Sequence, residues 1–159
     1  MVNRFFNIIA LAALIASSLL LESCGRGPVL RVHNAVVTLS PVDSNPSALH
    51  FTVRGGPKDV YLLRVFSSSA VRAELHESKI DTNSKMISME QLSRVKIPAD
   101  GKVEFAKGGK HAMFWGINRV ARKLGEMEVE FTFSTGERIL VDAVVREADG
   151  SIPDERKKL

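Results

Sequence analysis

The chain has 159 residues, an apolar fraction of 45% and a charged fraction of 25%, which indicate one globular domain and argue against disorder or a multi-span membrane protein. The net charge is +4, but the basic residues are scattered and few aromatic residues lie among them, so a nucleic-acid-binding surface gains no support. A single cysteine, Cys24, excludes a disulfide within the chain.

The N-terminal segment has the pattern of an export signal. Arg4 precedes an apolar run from Phe5 to Leu21, which suits a signal peptide and is short for a membrane span. The following Leu-Glu-Ser-Cys resembles a bacterial lipobox. We therefore expect a lipoprotein signal peptide over residues 1–23, lipidation of Cys24, and a domain on the periplasmic side of a bacterial membrane. Ordinary signal-peptidase cleavage or an uncleaved anchor would also place the domain outside the cytoplasm.

After a linker over residues 24–29, the sequence alternates apolar and polar residues with the period of β-strands. The clearest run is Met127–Phe133, and turn sequences rich in Gly, Pro, Asn and Asp separate it from the others. The other runs are Leu30–Val37, Leu49–Val53, Val60–Phe66, Val71–His76, Val103–Phe105, His111–Trp115 and Arg138–Val145. This pattern predicts an all-β Greek-key sandwich of about seven to nine strands over residues 30–147 and a flexible tail over 148–159. The one helix-like stretch, Asn118–Leu124, also fits a loop.

Two of the predicted strands carry histidine on a face that does not belong to the core. In Val71–His76 the apolar residues point one way and His76 points the other. On the later strand the same period places His111, Met113 and Trp115 on one face. An imidazole and a thioether two residues apart can reach the same point. The duller interpretation of this pair is an ordinary half-exposed part of a strand.

Two methionines, Met86 and Met89, lie between these strands in a polar stretch where core packing does not explain them. Thioether sulfur is soft and uncharged, and imidazole binds many metals, so a mixed His and Met set favours Cu(I) over zinc, magnesium or calcium. A blue-copper electron-transfer site would need a cysteine thiolate, which the mature domain lacks. The sequence therefore predicts a Cu(I) site without redox catalysis.

The remaining candidates have weaker signals. His33 and His50 lie in alternating strands without a partner at metal-ligand spacing, so each is interpreted as a structural or surface histidine. Met127 is interpreted as a core residue. The sequence has no Gly-x-Ser-x-Gly elbow, no His-Glu-x-x-His and no carboxylate pair near a histidine, so a hydrolase is not expected.

These residues resemble the signature of the periplasmic copper chaperones of the PCuAC type, His-x10-Met-x21-His-x-Met. The chain reads His76-x12-Met89-x21-His111-x-Met113, so the second and third intervals agree and the first is longer by two residues. Four further segments are similar to the family: Ala48–Val53, Ala73–Glu77, Ile97–Gly101 and Gly108–Met113.

The resemblance implies a cupredoxin-like β-sandwich and delivery of copper to a periplasmic acceptor, with cytochrome c oxidase or its assembly factors as the expected destination. The implied Cu(I) ligands are His76, Met89, His111 and Met113. Met86 becomes a substitute or auxiliary ligand if the two extra residues shift the loop, and Trp115 would shield the ion. A monomer without enzymatic activity is expected. Two alternatives stay open: a structural or interaction lipoprotein that binds no metal, and a copper-storage or resistance protein.

Overall fold

The structure of the chain is a computed structural model that describes residues 27–80 and 86–152. The predicted signal peptide and Cys24 lie outside the described residues, so both stay predictions. The described part contains one helix, α1 (Arg119–Leu124), and ten strands. The strands are β1 (Arg31–Thr38), β2 (Ser47–Arg54), β3 (Val60–Phe66), β4 (Arg72–Ile80), β5 (Ile87–Leu92), β6 (Val95–Ile97), β7 (Lys102–Phe105), β8 (Lys110–Trp115), β9 (Glu126–Phe133) and β10 (Arg138–Arg146).

All ten strands belong to one hydrogen-bonded sheet, in the order β5-β4-β8-β2-β1-β10-β9-β3-β6, with β7 also paired to β2. Strands β1 and β10 are parallel, and the other pairs are antiparallel. β2 is a junction, because Ser47–Leu49 pairs with β8 whereas Phe51–Arg54 pairs with β7. The predicted all-β class is confirmed, as a nearly closed sheet with one strand more than the upper expectation of nine.

The core lies on the inner face of this sheet. The phenyl ring of Phe51 stacks on Phe105 with 4.0 Å between centroids and lies 4.8 Å from Phe131, and all three rings are buried. Met127 is also buried, which confirms its assignment to the core. Because alternate strand residues point to opposite faces, His50 on β2 lies on the outer face beside β8.

The eight strands expected from the sequence are all present, but β5 and β6 were not expected. Every residue of β5 except Leu92 is exposed, so the strand shows no alternation of buried and exposed positions. β6 has three residues and is too short for a period to be recognised. The helix-like stretch is indeed a helix. The side chain of Asn118 accepts a hydrogen bond from the backbone N–H of Ala121 at 2.9 Å, and Gly125 ends the helix with φ 69°.

Candidate metal centre

Two histidines meet across β4 and β8. The register places His76 directly opposite His111, and the centroids of their rings are 6.3 Å apart. The His76 side chain is 15% exposed and His111 is 6% exposed. This pair is therefore shielded from water.

Hydrogen bonds assign one free nitrogen to each of these rings. The Nδ1 of His111 lies 2.9 Å from the carbonyl oxygen of Gly109, which can only accept, so Nδ1 carries the hydrogen and Nε2 keeps its lone pair. In His76 it is Nε2 that lies 3.1 Å from a carboxylate oxygen of Glu74. Its Nδ1 is buried and has no hydrogen-bond partner among the described atoms. A buried nitrogen without a partner, on a ring held by a carboxylate, is the arrangement expected of a metal-binding histidine.

The two expected methionine ligands lie on opposite sides of the histidine pair. Met113 is half-buried on the same face as His111 and pairs with Glu74. Met89 pairs with Ser78 on the outer side of β4 and is 59% exposed. Ser78 and Glu74 are four residues apart and β5 is two strands from β8, so the methionines are separated by roughly 14 Å along the strands and roughly 10 Å across them. Both methionines are thus diagonal neighbours of His76 on its face of the sheet, Met113 on β8 and Met89 on β5, and only Met113 also lies beside His111.

Met86 precedes the first residue of β5 and is 70% exposed. It is no nearer to the histidine pair in register than Met89 is. Trp115 lies on the same face as Met113, with its ring centroid 6.3 Å from that of His76. The guanidinium carbon of Arg72 lies 4.0 Å from the centroid of the tryptophan ring. Trp115 therefore forms a wall beside His76, held from behind by a cation–π contact.

His50 belongs to the same group of side chains. Its ring centroid lies 6.4 Å from that of His111, one step beyond the paired residues Leu49 and Ala112. Burial lowers the pKa of His50 below its ordinary value of 6.5, and the charges of His111 and Lys107 lower it further. The sequence-based interpretation of His50 as a structural or surface histidine stays a prediction, and the structure adds His111 as its neighbour. His50 lies beside His111 only because β2 pairs with β8, and no pattern within one strand predicts that pairing.

Two residues that sequence reasoning missed, His50 and Glu74, thus contact the predicted pair. Among the described residues, no three His, Cys, Asp or Glu side chains are placed so that they could hold a metal ion. With the side chains in these positions, a metal site of three or more ligands would therefore need a methionine sulfur. A cleft of about 780 Å³ gives access to this region from the side of His50 and His111, and Lys107 and Arg146 are among its lining residues.

In the part of the chain that the structure describes, no helix is both long and apolar enough to cross a membrane. The fold is that of PCuAC domains, a class of cupredoxin-like β-domains, and the expected fold is confirmed at this level. The copper-bound PCuAC domain from PmoF2 is 15% identical, with a TM-score of 0.58 over 73% of this chain and 91% of that chain. The solution structure of CuI-DR1885 from Deinococcus radiodurans is 19% identical, with a TM-score of 0.60 over 80% of this chain and 85% of that chain.

The sequence itself gives a narrower assignment. The model of a family described as "Putative lipoprotein LpqE-like" matches residues 30–145, and the chain belongs to this LpqE-like family. A comparison with curated proteins gives no match.

Proposed function

We propose that this chain is a copper chaperone that binds one Cu(I) through imidazole and thioether groups and delivers it to another exported protein. The observation that carries the proposal is the shielded pair of His76 and His111, whose rings lie 6.3 Å apart and each keep one nitrogen free of hydrogen bonds to protein atoms of the described residues. Met113 adds a half-buried sulfur on the same face. Neutral nitrogen and thioether ligands suit Cu(I).

Met89 is the fourth ligand in this proposal, and it has to approach the pair from β5. This strand stands at the end of the sheet order and pairs with β4 alone. Its exposed side chains leave it with few core contacts, so the Met89 side chain can turn toward His76, its diagonal neighbour, without disturbing the core. A ligand on an exposed edge strand is accessible from outside, which suits an ion that must be handed on.

The cellular setting of the proposal follows from the N-terminal signal and from the relatives. The family is described as one of putative lipoproteins, and two of the similar solved structures, the PmoF2 domain and CuI-DR1885, are copper-bound. We infer cleavage after residue 23, lipidation of Cys24 and a monomeric domain on the periplasmic side of the membrane. The acceptor in this scheme belongs to cytochrome c oxidase assembly, and the chain acts as a carrier without enzymatic activity.

The direct test is a Cu(I) titration against a chromophoric chelator. The untagged full chain in mild detergent, carrying Cys24→Ser, contains no thiol that could compete for the ion. We expect one Cu(I) per chain, and X-ray absorption at the copper edge with both nitrogen and sulfur neighbours. His111→Phe removes the competition with the chelator, whereas His33→Phe, the matched control on β1, leaves it intact. If the parent protein fails to compete, the structural or interaction lipoprotein stands instead.

Donor and storage roles separate in a second measurement. A store retains its copper in the presence of an apo acceptor, whereas a carrier transfers it. When the copper-loaded chain is mixed with an apo copper-binding fragment of cytochrome c oxidase, we expect the copper to be found on the fragment. Retention of the ion on the chain would favour storage or resistance.

A further inference from the structure

We propose that the end of the domain at which the chain enters β1 docks on anionic phospholipid headgroups and thereby sets the orientation of the domain on the membrane. This surface, the basic end, consists of the exposed side chains of Arg31, Arg54 and Lys58. The inference rests on the proposed lipidation of Cys24. It goes beyond copper binding and transfer, because it says how the anchored carrier is held relative to the membrane.

The basic end contains two arginines that face each other across a strand pair. Arg31 on β1 is the register partner of Arg54 on β2, and Arg54 is in turn the partner of Lys102 on β7. All three side chains are exposed, and Lys102 forms an ion pair with Glu104. Like charges directly opposite in an antiparallel pair destabilise the sheet. An external anion that approaches the two arginines would relieve this repulsion.

Nearby carboxylates do not neutralise the basic end. Asp59, next to it in the chain, is engaged by Lys96 at 2.6 Å. Asp100 and Glu137, on the β6–β7 and β9–β10 turns, lie at the same end of the sheet. Within the ranges 27–80 and 86–152, however, no ion pair includes a member of the basic end. Its cations are therefore available to an anion from outside the domain.

The proposed lipid anchor is connected to the domain beside the basic end. Pro28 and Leu30 pass along the β2–β3 turn, where a Cβ added to Gly56 would lie 3.2 Å from the backbone nitrogen of Leu30 and 3.7 Å from the carbonyl oxygen of Pro28. Even when fully extended, the chain from Cys24 to Arg31 spans at most roughly 25 Å. A lipidated Cys24 thus keeps the basic end within reach of the headgroups.

The chemistry of the basic end suits a phospholipid surface. The planar guanidinium group of arginine can donate two parallel hydrogen bonds to a phosphate, and an anionic membrane attracts each nearby Lys or Arg by a factor of about five. On β2, His50, the neighbour of His111, lies four residues from Arg54, which is roughly 13 Å along the strand. A domain docked by its basic end therefore holds the candidate metal site above the headgroups and leaves it uncovered.

Hydrogen exchange on vesicles tests this orientation. The mature chain is purified from membranes, its lipid on Cys24 is verified by mass spectrometry, and it is placed in vesicles of phosphatidylcholine alone or of phosphatidylcholine and phosphatidylglycerol in equal parts. The anchor is then identical and only the headgroup charge differs. We expect backbone amides of residues 54–59 to exchange more slowly in the anionic vesicles. This difference should disappear at an ionic strength of about 1 M, where the Debye length is about 3 Å.

Two triple variants locate the contact. Loss of the three cations of the basic end should shift the equilibrium between docked and undocked domains about 100-fold and remove the protection. The control removes the same charge at the opposite end of the sheet, where Arg146 pairs with Thr38, and should retain the protection. The test variant is Arg31→Gln with Arg54→Gln and Lys58→Gln, and the control is Arg119→Gln with Lys123→Gln and Arg146→Gln.

The outcomes separate this inference from the proposals on which it depends. Equal exchange in the two kinds of vesicle would overturn the docking while leaving the anchor and copper binding in place. A purified chain without lipid on Cys24 would reject the proposed anchor and this inference with it. Cu(I) affinity should be the same in both triple variants and the parent protein. Because the comparison of vesicles uses the parent protein, poor folding of a variant cannot hide the answer.

Discussion

At the scale of single residues, the orientation of His76 depends on Glu74. The carboxylate accepts a hydrogen bond from Nε2, at 3.1 Å, and thereby leaves Nδ1 as the nitrogen with a lone pair. The same carboxylate lies 3.5 Å from the Nε of Arg72, so its own position is fixed from a second direction. A histidine held in this way presents one defined nitrogen and loses little freedom when it binds a metal.

Glu74→Gln tests this positioning role. The amide can still contact His76 but carries no charge and can turn a donor toward Nε2, so the ring loses its fixed tautomer. We expect Cu(I) affinity to fall by about 10- to 100-fold with little change in thermal stability. Nitrogen-15 NMR of the metal-free protein should show a mixture of His76 tautomers. Glu77→Gln, on the same strand but bound to Lys110 at 2.5 Å, is the control and should leave both readouts unchanged.

Met113→Leu tests the sulfur ligand without emptying the space that the side chain fills. The two side chains have similar volumes, so the free energy of unfolding should change by less than about 1.5 kcal/mol. Cu(I) affinity, measured by chelator competition, should fall at least about tenfold because leucine has no donor atom. Met127→Leu makes the same change in the core and should leave the affinity as it is. Equal affinities in all three proteins would remove Met113 from the site.

The sequence could predict part of this site. Strand period alone placed His111, Met113 and Trp115 on one face, and the structure agrees. It could not place His50 beside them, because that contact depends on which strands pair and in which register. Glu74 is different: it lies two residues before His76 on the same face of β4, so the strand period could have found it. The pairing of β2 with β8 joins residues more than 60 positions apart in the chain. No pattern within one strand contains that information.

At the scale of elements, the position of β5 determines which of Met86 and Met89 can act as a Cu(I) ligand. Met89 faces the same side of the sheet as His76, whereas Met86 stands before the strand begins, three residues away. An offset of three cannot share a face in an extended strand. We therefore expect Met89→Leu to weaken Cu(I) binding more than Met86→Leu does, as measured by the same chelator competition. The reverse order would mean that the two additional residues before β5 shift the ligand position to Met86.

Helix α1 depends on its cap rather than on its length. Six residues are too few for a stable helix without help, and the side chain of Asn118 supplies one bond to the backbone N–H of Ala121. Asn118→Ala should lower the free energy of unfolding by about 1 kcal/mol, measured by urea denaturation, and leave Cu(I) affinity unchanged. Asn118→Asp keeps a capping oxygen and should be close to the parent protein. A loss of copper affinity in Asn118→Ala would show that α1 supports the site.

The two strands that the sequence did not reveal have opposite causes. β5 is exposed along almost its whole length, so its sequence carries no apolar period, and only its six paired positions with β4 define it. β6 has buried Val95 and Ile97, but three residues cannot show a period. Strands with one face in the core, such as β9, were predicted nearly to the residue. One buried face requires apolar residues at alternate positions, and this alternation is visible in the sequence.

At the scale of the whole molecule, the candidate site and the core lie on opposite faces of the same strands. On β2, Leu49 and Phe51 point into the core while His50 between them points toward His111. On β8, Ala112 and Phe114 are buried while Met113 lies on the outer face. Most substitutions on the outer face should therefore change metal binding more than they change the fold. His50 is the exception, because it is also packed closely enough for its ionisation to affect stability.

The stability of the metal-free protein should depend on pH through His50. Its pKa is lowered in the folded state, first by burial and then by the charges of His111 and Lys107, whereas the unfolded chain has the ordinary value of 6.5. Between these two pKa values the unfolded chain binds more protons, so the free energy of unfolding falls as the pH drops from 6.5 through the folded pKa. Urea denaturation with a chelator present, on either side of this window, should show a smaller loss in His50→Phe than in the parent protein. His33→Phe is the control for the other titrating groups, and an equal loss in His50→Phe and the parent would show that the ionisation of His50 is not coupled to folding.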